Sequence, residues 1–208
     1  MPVLEIFFFG QFEVIQNGKK IEHPLWQSRQ VRSILKFLAA APGKPLSNSQ
    51  LIELLWPGED ASSAQQRLYV RISQLRKVLE NPQGHEWIQS VEGGYALALP
   101  HVDDTKTIKQ DCWIDVNQFE EQAELGRAAL EEKQFQKAIA SMERARSLYR
   151  ADYLLEDLYL EWTVGERERL RDLYLITLTE LAEAYAQTGA YRRAINICRQ
   201  ILSVEPYR

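Results

Sequence analysis

The sequence predicts an α+β part followed by an all-α part. Residues 1–100 read as a small antiparallel sheet, three helices and a closing β-hairpin, residues 101–114 as a linker, and residues 115–208 as helices. Three observations predict this. The apolar period runs near two at the N-terminus, changes to about 3.6 around residue 28, returns to two near residue 87, and stays helical from residue 115 onward. The charge divides at the same place: residues 1–110 hold 12 Lys/Arg and 11 Asp/Glu, whereas residues 111–208 hold 13 and 18. Within the first part, the 17 residues 62–78 carry Arg67, Arg71, Arg76 and Lys77 and no acid, and residues 28–36 add Arg29, Arg32 and Lys36.

Each element follows in order. Residues 4–9 form an aromatic-rich apolar run that reads as a strand, broken by Gly10, and residues 12–15 read as a second. Asn17-Gly18 is a two-residue hairpin signal, because both residues tolerate positive φ, and residues 19–21 return. Ser28 is placed to cap a first helix, in which Val31, Ile34, Leu35, Leu38 and Ala39 share one face up to Pro42-Gly43. Ser47 caps a second helix with Leu51, Leu54 and Leu55, stopped by Trp56-Pro57-Gly58. Asp60 or Ser62 opens a third over 62–80, with Leu68, Ile72, Leu75 and Leu79 inward and Asn81-Pro82 closing it. Residues 87–91, the turn at Glu92-Gly93-Gly94 and residues 95–99 form a hairpin.

Three helices and a hairpin in that order make a winged helix-turn-helix, and its third helix is the element that would read DNA. With Leu68 inward, Ser63, Gln66, Arg67, Val70, Ser73, Gln74 and Lys77 face out, and Tyr69, Arg71 and Arg76 lie at the flanks. Arg reads guanine, Gln reads adenine, and the flanking groups suit the backbone. A carboxylate there would repel phosphate, and the face has none. The competing reading is an ordinary solvated helix face; the place of this helix in the element order weighs against it.

The second part reads as helices over 119–132 and 135–149, an apolar linker from Tyr153, a long helix over 163–187 ending at Thr188-Gly189, and a last helix over 191–204. Leu178, Leu181, Ala182, Tyr185, Ala194 and Pro206 fit the large and small positions of a tetratricopeptide unit, with Cys198 in its aromatic slot and Ile201 where a small residue is usual. A weaker copy has Leu125-Gly126, Phe135, Ala138 and Ala145. The anchors Ala138 and Ala194 are too far apart for a regular array. A generic helical bundle is the competing reading. Because such units stack and need polar caps, a chain stopping at Glu205-Pro206-Tyr207-Arg208 is expected to be a fragment of a longer one.

In order and spacing, residues 27–32 (QSRQVR), 51–57 (LIELLWP), 64–79 (AQQRLYVRISQLRKVL), 149–154 (YRADYL), 161–175 (EWTVGERERLRDLYL) and 189–206 resemble the SARP-type bacterial transcriptional activators, which join an OmpR-like winged helix to a tetratricopeptide-like bacterial transcriptional activator domain. The resemblance covers essentially the whole chain. It implies that residues 64–79 are the recognition helix in the major groove, that Glu92-Gly93-Gly94-Tyr95 is the wing near the minor groove, and that Trp26, Trp56 and Leu75 are core. It also implies dimers on promoter direct repeats of double-stranded DNA, contact with RNA polymerase, and a link to phosphorelay signalling. Two departures qualify it. Glu92 stands where such wings often carry Arg, and Tyr69 and Gln74 stand where Arg is frequent, so the operator is expected to differ from a family consensus.

The candidate DNA-binding set is therefore Arg29, Ser63, Gln66, Arg67, Tyr69, Val70, Arg71, Ser73, Gln74, Arg76, Lys77, Gly93 and Gly94. The alternative is a protein–protein adaptor that uses the helices alone, with a degenerate winged helix. Catalysis has little support: His23, His85 and His101 are isolated, Gln89 spoils an HExxH reading of His85-Glu86, Gly93-Gly94 is too short for a dinucleotide fingerprint, and Asp103, Asp104 and Asp111 read as solvated linker. No cofactor or metal is expected. The two cysteines, Cys112 and Cys198, are distant in sequence, and no apolar run reaches about 18 residues, so a cytoplasmic protein without a membrane partner is expected.

Overall fold

A computed structural model describes residues 3–81, 84, 86–98 and 112–204. The expectations placed on Pro82, His85, Leu99, His101, Asp103, Asp104, Asp111, Pro206 and linker residues 101–111 lie outside the described residues. The elements are β1 (Leu4–Phe7), β2 (Glu13–Gln16), β3 (Lys19–Lys20), a 3-10 turn (Pro24–Gln27), α1 (Arg29–Ala40), β4 (Leu46–Ser47), α2 (Asn48–Leu55), α3 (Ala61–Val78), β5 (Ile88–Val91), β6 (Gly94–Leu97), β7 (Cys112–Ile114), α4 (Asp115–Glu131), α5 (Phe135–Leu148), a 3-10 turn (Leu155–Asp157), α6 (Glu161–Gln187) and α7 (Tyr191–Val204). The strands form two sheets, ordered β3-β2-β1-β7 and β4-β6-β5. This is a winged helix-turn-helix region followed by a tetratricopeptide-like helical region.

The chain divides into two compact units that are not contiguous in sequence. One comprises Met1–Glu5 and Val14–Cys112, the other Ile6–Glu13 and Trp113–Arg208. The division runs through β1. The stretch Ile6–Glu13, grouped with residues 1–100 on its period of two, thus packs with the helices. Residues 112–114, expected as the end of a linker, are strand β7 instead.

In the first unit, Val31, Ile34, Leu35 and Leu38 of α1, Leu51 of α2, and Leu68, Ile72 and Leu75 of α3 are buried with Ile88 and Leu97 of the hairpin. Burying each such side chain is worth about 1.5–3 kcal/mol relative to exposing it. Tertiary burial of this kind, rather than propensity, holds a helix as short as α2. Its start is fixed by a capping box: the Ser47 hydroxyl accepts from the Gln50 N–H at 3.2 Å, and the Ser47 N–H donates to Gln50 Oε1 at 2.9 Å. Ser28 occupies the cap position of α1, but its side chain makes no cap hydrogen bond. The entry to α1 is set instead by the preceding 3-10 turn, where the Ser28 N–H donates to the Leu25 carbonyl at 3.2 Å. Strand β4, two residues long, was not expected. It pairs with β6 at Leu46–Tyr95 and Ser47–Gly94.

In the second unit α4 packs on α5, α5 on α6, and α6 on α7. Small residues permit the approach. Ala138 and Ala145 are fully buried, and a Cβ on Gly126 would lie 2.5 Å from Met142 Cγ. The repeat assignment fails at two places: Leu125 and Cys198, expected in packing slots, are both exposed. At 100° per residue, Leu125 sits one step before the buried Gly126, and Cys198 one step past the buried Ile197, so each falls off the packed face.

The same unit encloses the N-terminal stretch. The buried Asp115 carboxylate, at the first position of α4, accepts the N–H of Phe8 at 2.9 Å, of Phe9 at 2.9 Å and of Val116 at 2.8 Å. Leu154 N–H donates to Phe8 O at 2.9 Å, Leu155 N–H to Gly10 O at 2.8 Å, and Gly10 N–H to Asp152 O at 3.0 Å. The rings follow: Phe8 stacks on Tyr153 at 5.2 Å, Phe9 meets Tyr149 at 4.7 Å, and Tyr149 stacks on Tyr174 at 4.0 Å. The "linker" at Tyr153 is therefore core.

Asp115→Ala leaves buried N–H groups without an acceptor and is expected to cost about 1–3 kcal/mol in urea denaturation at neutral pH. Burial pushes the Asp115 carboxyl up to about 6 against the opposing pull of its N–H donors. A raised value means that folding favours the protonated acid, so this contribution is full below the ordinary 3.8 and is lost as pH rises through about 6. In Asp115→Asn, whose side chain stays neutral, that stability slope between pH 4 and 7 should flatten; an unchanged slope would refute the assignment.

Candidate nucleic-acid interface

The helix α3 begins at an Asp60 cap. Its carboxylate accepts from the Ser63 N–H at 3.1 Å, and the Ser62 hydroxyl followed by that N–H holds its carboxyl below the usual value. From there the sequence spaces its apolar residues so that Ala64, Leu68, Ile72 and Leu75 bury one side. What remains outside is a stripe of Ser63, Gln66, Val70, Ser73 and Lys77, all exposed, at i, i+3, i+7, i+10 and i+14. No carboxylate lies on it. Tyr69 is exposed at one border, its hydroxyl accepting from Gln65 Nε2 at 2.6 Å.

The arginines at the borders are already engaged. Arg67 is ion-paired with Glu59 and lies over the Trp56 ring at 4.7 Å, half-exposed. Arg71 Nε donates to Gln30 Oε1 at 2.7 Å and its Nη1 to Gln74 Oε1 at 2.8 Å. Arg76 has turned to the hairpin. Its Nε and Nη2 donate to the Ile88 carbonyl at 3.1 and 2.8 Å, Nη2 also reaches Ser90 Oγ at 2.9 Å, Glu86 pairs at 3.5 Å, and the guanidinium lies over the Tyr95 ring at 5.8 Å. Burial raises the Tyr95 hydroxyl above its ordinary value. Arg76 is thus a brace between α3 and β5.

The remaining expected residues separate in the same way. Arg29 is exposed at the first position of α1. Lys36, counted with it as a basic stretch, is buried, because it falls on the inward face that holds Leu35 and Ala39. Gly93 is exposed at the hairpin turn with φ 73. Gly94, by contrast, is buried in β6, where a Cβ would collide with the Leu46 carbonyl, so its glycine serves the β4 pairing. Trp56 and Leu75 are core as expected, and Trp26 is only partly buried. The residues missed in the sequence are Gln30, Glu59 and Trp56 as holders of Arg71 and Arg67. The signal for one was present, since Glu59 is an acid just ahead of an acid-free helix.

Comparison with known proteins places these parts. The model for the C-terminal domain of transcriptional regulatory proteins matches residues 22–97, and that for the bacterial transcriptional activator domain matches residues 114–208. The regulatory protein DnrI of Streptomyces peucetius is 27% identical over 196 residues, covering 90% of this chain and 67% of its own. The structure of Mycobacterium tuberculosis EmbR in complex with a low affinity phosphopeptide matches with a TM-score of 0.83 at 21% identity, over 100% of this chain and 52% of that one. The chain therefore spans about half the length of that solved relative.

Two variants test the division of labour on α3 by thermal unfolding. Arg76→Ala should cost about 1–3 kcal/mol, because it frees a part-buried carbonyl, while Lys77→Ala should stay within about 0.5 kcal/mol. Gly94→Ala should cost about 1–3 kcal/mol by forcing β4 from β6.

Proposed function

The chain is a SARP-type transcriptional regulator, built of a transcriptional regulatory C-terminal domain and a bacterial transcriptional activator domain, and on that premise we propose that it binds promoter DNA sequence-specifically through α3 and activates transcription. Transcriptional regulators of this kind are not enzymes. The single observation that carries the reading is the exposed, carboxylate-free stripe of α3.

In this reading α3 enters the major groove. Gln66 reads adenine, Val70 meets a thymine methyl, and Ser73 and Lys77 take phosphate or base. Arg67 exchanges the Glu59 carboxylate for guanine or phosphate. The exposed pair it leaves is worth at most about 1 kcal/mol, less than the about 1–3 kcal/mol of a bidentate base contact. Arg71 stays oriented by Gln30 and Gln74 against the backbone, with Tyr69 and Arg29 beside it as further backbone contacts. Gly93 at the hairpin tip approaches the minor groove beside Glu92, which disfavours deep insertion. The protein works in the cytoplasm as a homodimer on direct repeats. Its helical unit serves dimerisation, contact with RNA polymerase or signal input.

Fluorescence anisotropy on a duplex selected from a randomised pool tests this. Arg67→Ala combined with Arg71→Ala should weaken binding by well over about tenfold, and Lys77→Ala should weaken all sequences alike while reducing the log–log salt slope by about 0.9. Failure to select any duplex, or binding indifferent to salt and to the double variant, would remove α3 from the role.

A further inference from the structure

The helical unit holds a groove of about 370 Å³ lined by Glu143 and Arg146 of α5, Tyr185 of α6, and Arg193, Asn196, Ile197 and Gln200 of α7. Its polar groups are pre-arranged. Both Glu143 oxygens are used, Oε2 by Arg146 Nε at 2.8 Å and Oε1 by the Tyr185 hydroxyl at 2.8 Å. Arg146 Nη1 donates to Gln200 Oε1 at 3.2 Å, and Gln200 Nε2 donates to the Tyr174 hydroxyl at 2.6 Å. A guanidinium has five N–H donors, so Arg146 keeps some in reserve. Arg193 is exposed, lies over the Tyr185 ring at 5.6 Å, and is paired with no carboxylate among the described residues. Two guanidiniums against one carboxylate leave a surplus positive charge. Beneath it lie the buried Ile197 and the Tyr185 ring.

The surroundings restrict what this charge attracts. The helix α7 carries Arg192, Arg193 and Arg199 and no acid, so the local field attracts an anion, while a groove of about 370 Å³ admits a few side chains and not a duplex. A ligand with one or two carboxylates next to apolar side chains pairs with the local cation and covers the apolar floor. We propose that this groove binds a short acidic segment of a protein partner, a carboxylate of which pairs with Arg193 while its apolar neighbours cover Ile197 and the Tyr185 ring. Arg146, fixed by Glu143 and Gln200, supplies the second cation, and Asn196 a further amide donor at the rim.

The test uses the full 208-residue chain and two fluorescein-labelled, C-terminally amidated peptides, Leu-Glu-Glu-Leu and Leu-Lys-Lys-Leu, read by anisotropy. The acidic peptide should bind and the basic one should not. Arg193→Gln, at an exposed position, should weaken the acidic peptide by about tenfold, the value of one charge-assisted contact of about 1.4 kcal/mol, and Arg193→Lys should restore most of it. Arg67→Ala with Arg71→Ala should leave peptide binding unchanged, and Arg193→Gln should leave duplex binding unchanged, which separates this site from the DNA face. Equal binding of both peptides, an acidic peptide indifferent to Arg193→Gln, or its loss in the α3 double variant would overturn the proposal.

Discussion

The buried Asp115 carboxylate is the constraint on which the helical unit depends. A carboxylate removed from water is costly unless hydrogen bonds replace its hydration. Here the replacements come from the backbone of a segment more than a hundred residues away, the N–H groups of Phe8 and Phe9, together with Val116 at the start of its own helix. The helix N-terminus adds a favourable dipole. Burial still outweighs these donors, since the carboxyl is pushed up to about 6, so the site holds the segment at some expense in stability. That expense is met by the aromatic stack that Phe8 and Phe9 enter with Tyr149, Tyr153 and Tyr174. The consequence is topological: the chain begins in one unit, crosses to the other for Ile6–Glu13, returns to build the winged helix, and crosses again at residue 112.

The helix α3 obeys a different constraint, the division of its cations by burial. An exposed ion pair such as Arg67 with Glu59 is cheap to break, because water and salt screen both partners. A part-buried guanidinium bonded to a backbone carbonyl is not, because the carbonyl would be left dry. Arg67 and Arg76 are nine residues apart on one helix and identical in type, yet the first is held by an exposed ion pair and the second is a brace for β5. Counting basic residues on a helix therefore overstates the charge it offers.

Much of this was legible in the sequence, and the limits are physical. The helices, the Asn17-Gly18 turn and the hairpin around Glu92-Gly93 are local events, decided by period and turn chemistry, and the structure shows them within a few residues. Strand β4 was not legible, since two residues have no period and owe their conformation to β6. The membership of Ile6–Glu13 was not legible either. An apolar run reads as a strand whichever unit pairs with it, and the deciding partner, Asp115, looks in sequence like any acid at a helix start. Arg67 and Gln74, expected to face out as well, are only part-exposed, but the outward direction of Ser63, Gln66, Val70, Ser73 and Lys77 was legible because angle alone sets it. The fates of Arg76 and Gly94 were not, because they depend on which backbone lies within reach.

Charge has the same lesson at a larger scale. The net −4 of the chain argues against nucleic acid only if charge acts as a sum. Screening over about 8–10 Å makes it act locally, so a 17-residue acid-free helix presents its own potential whatever the helical unit carries. A charge summed over both halves therefore says nothing about the face that α3 presents.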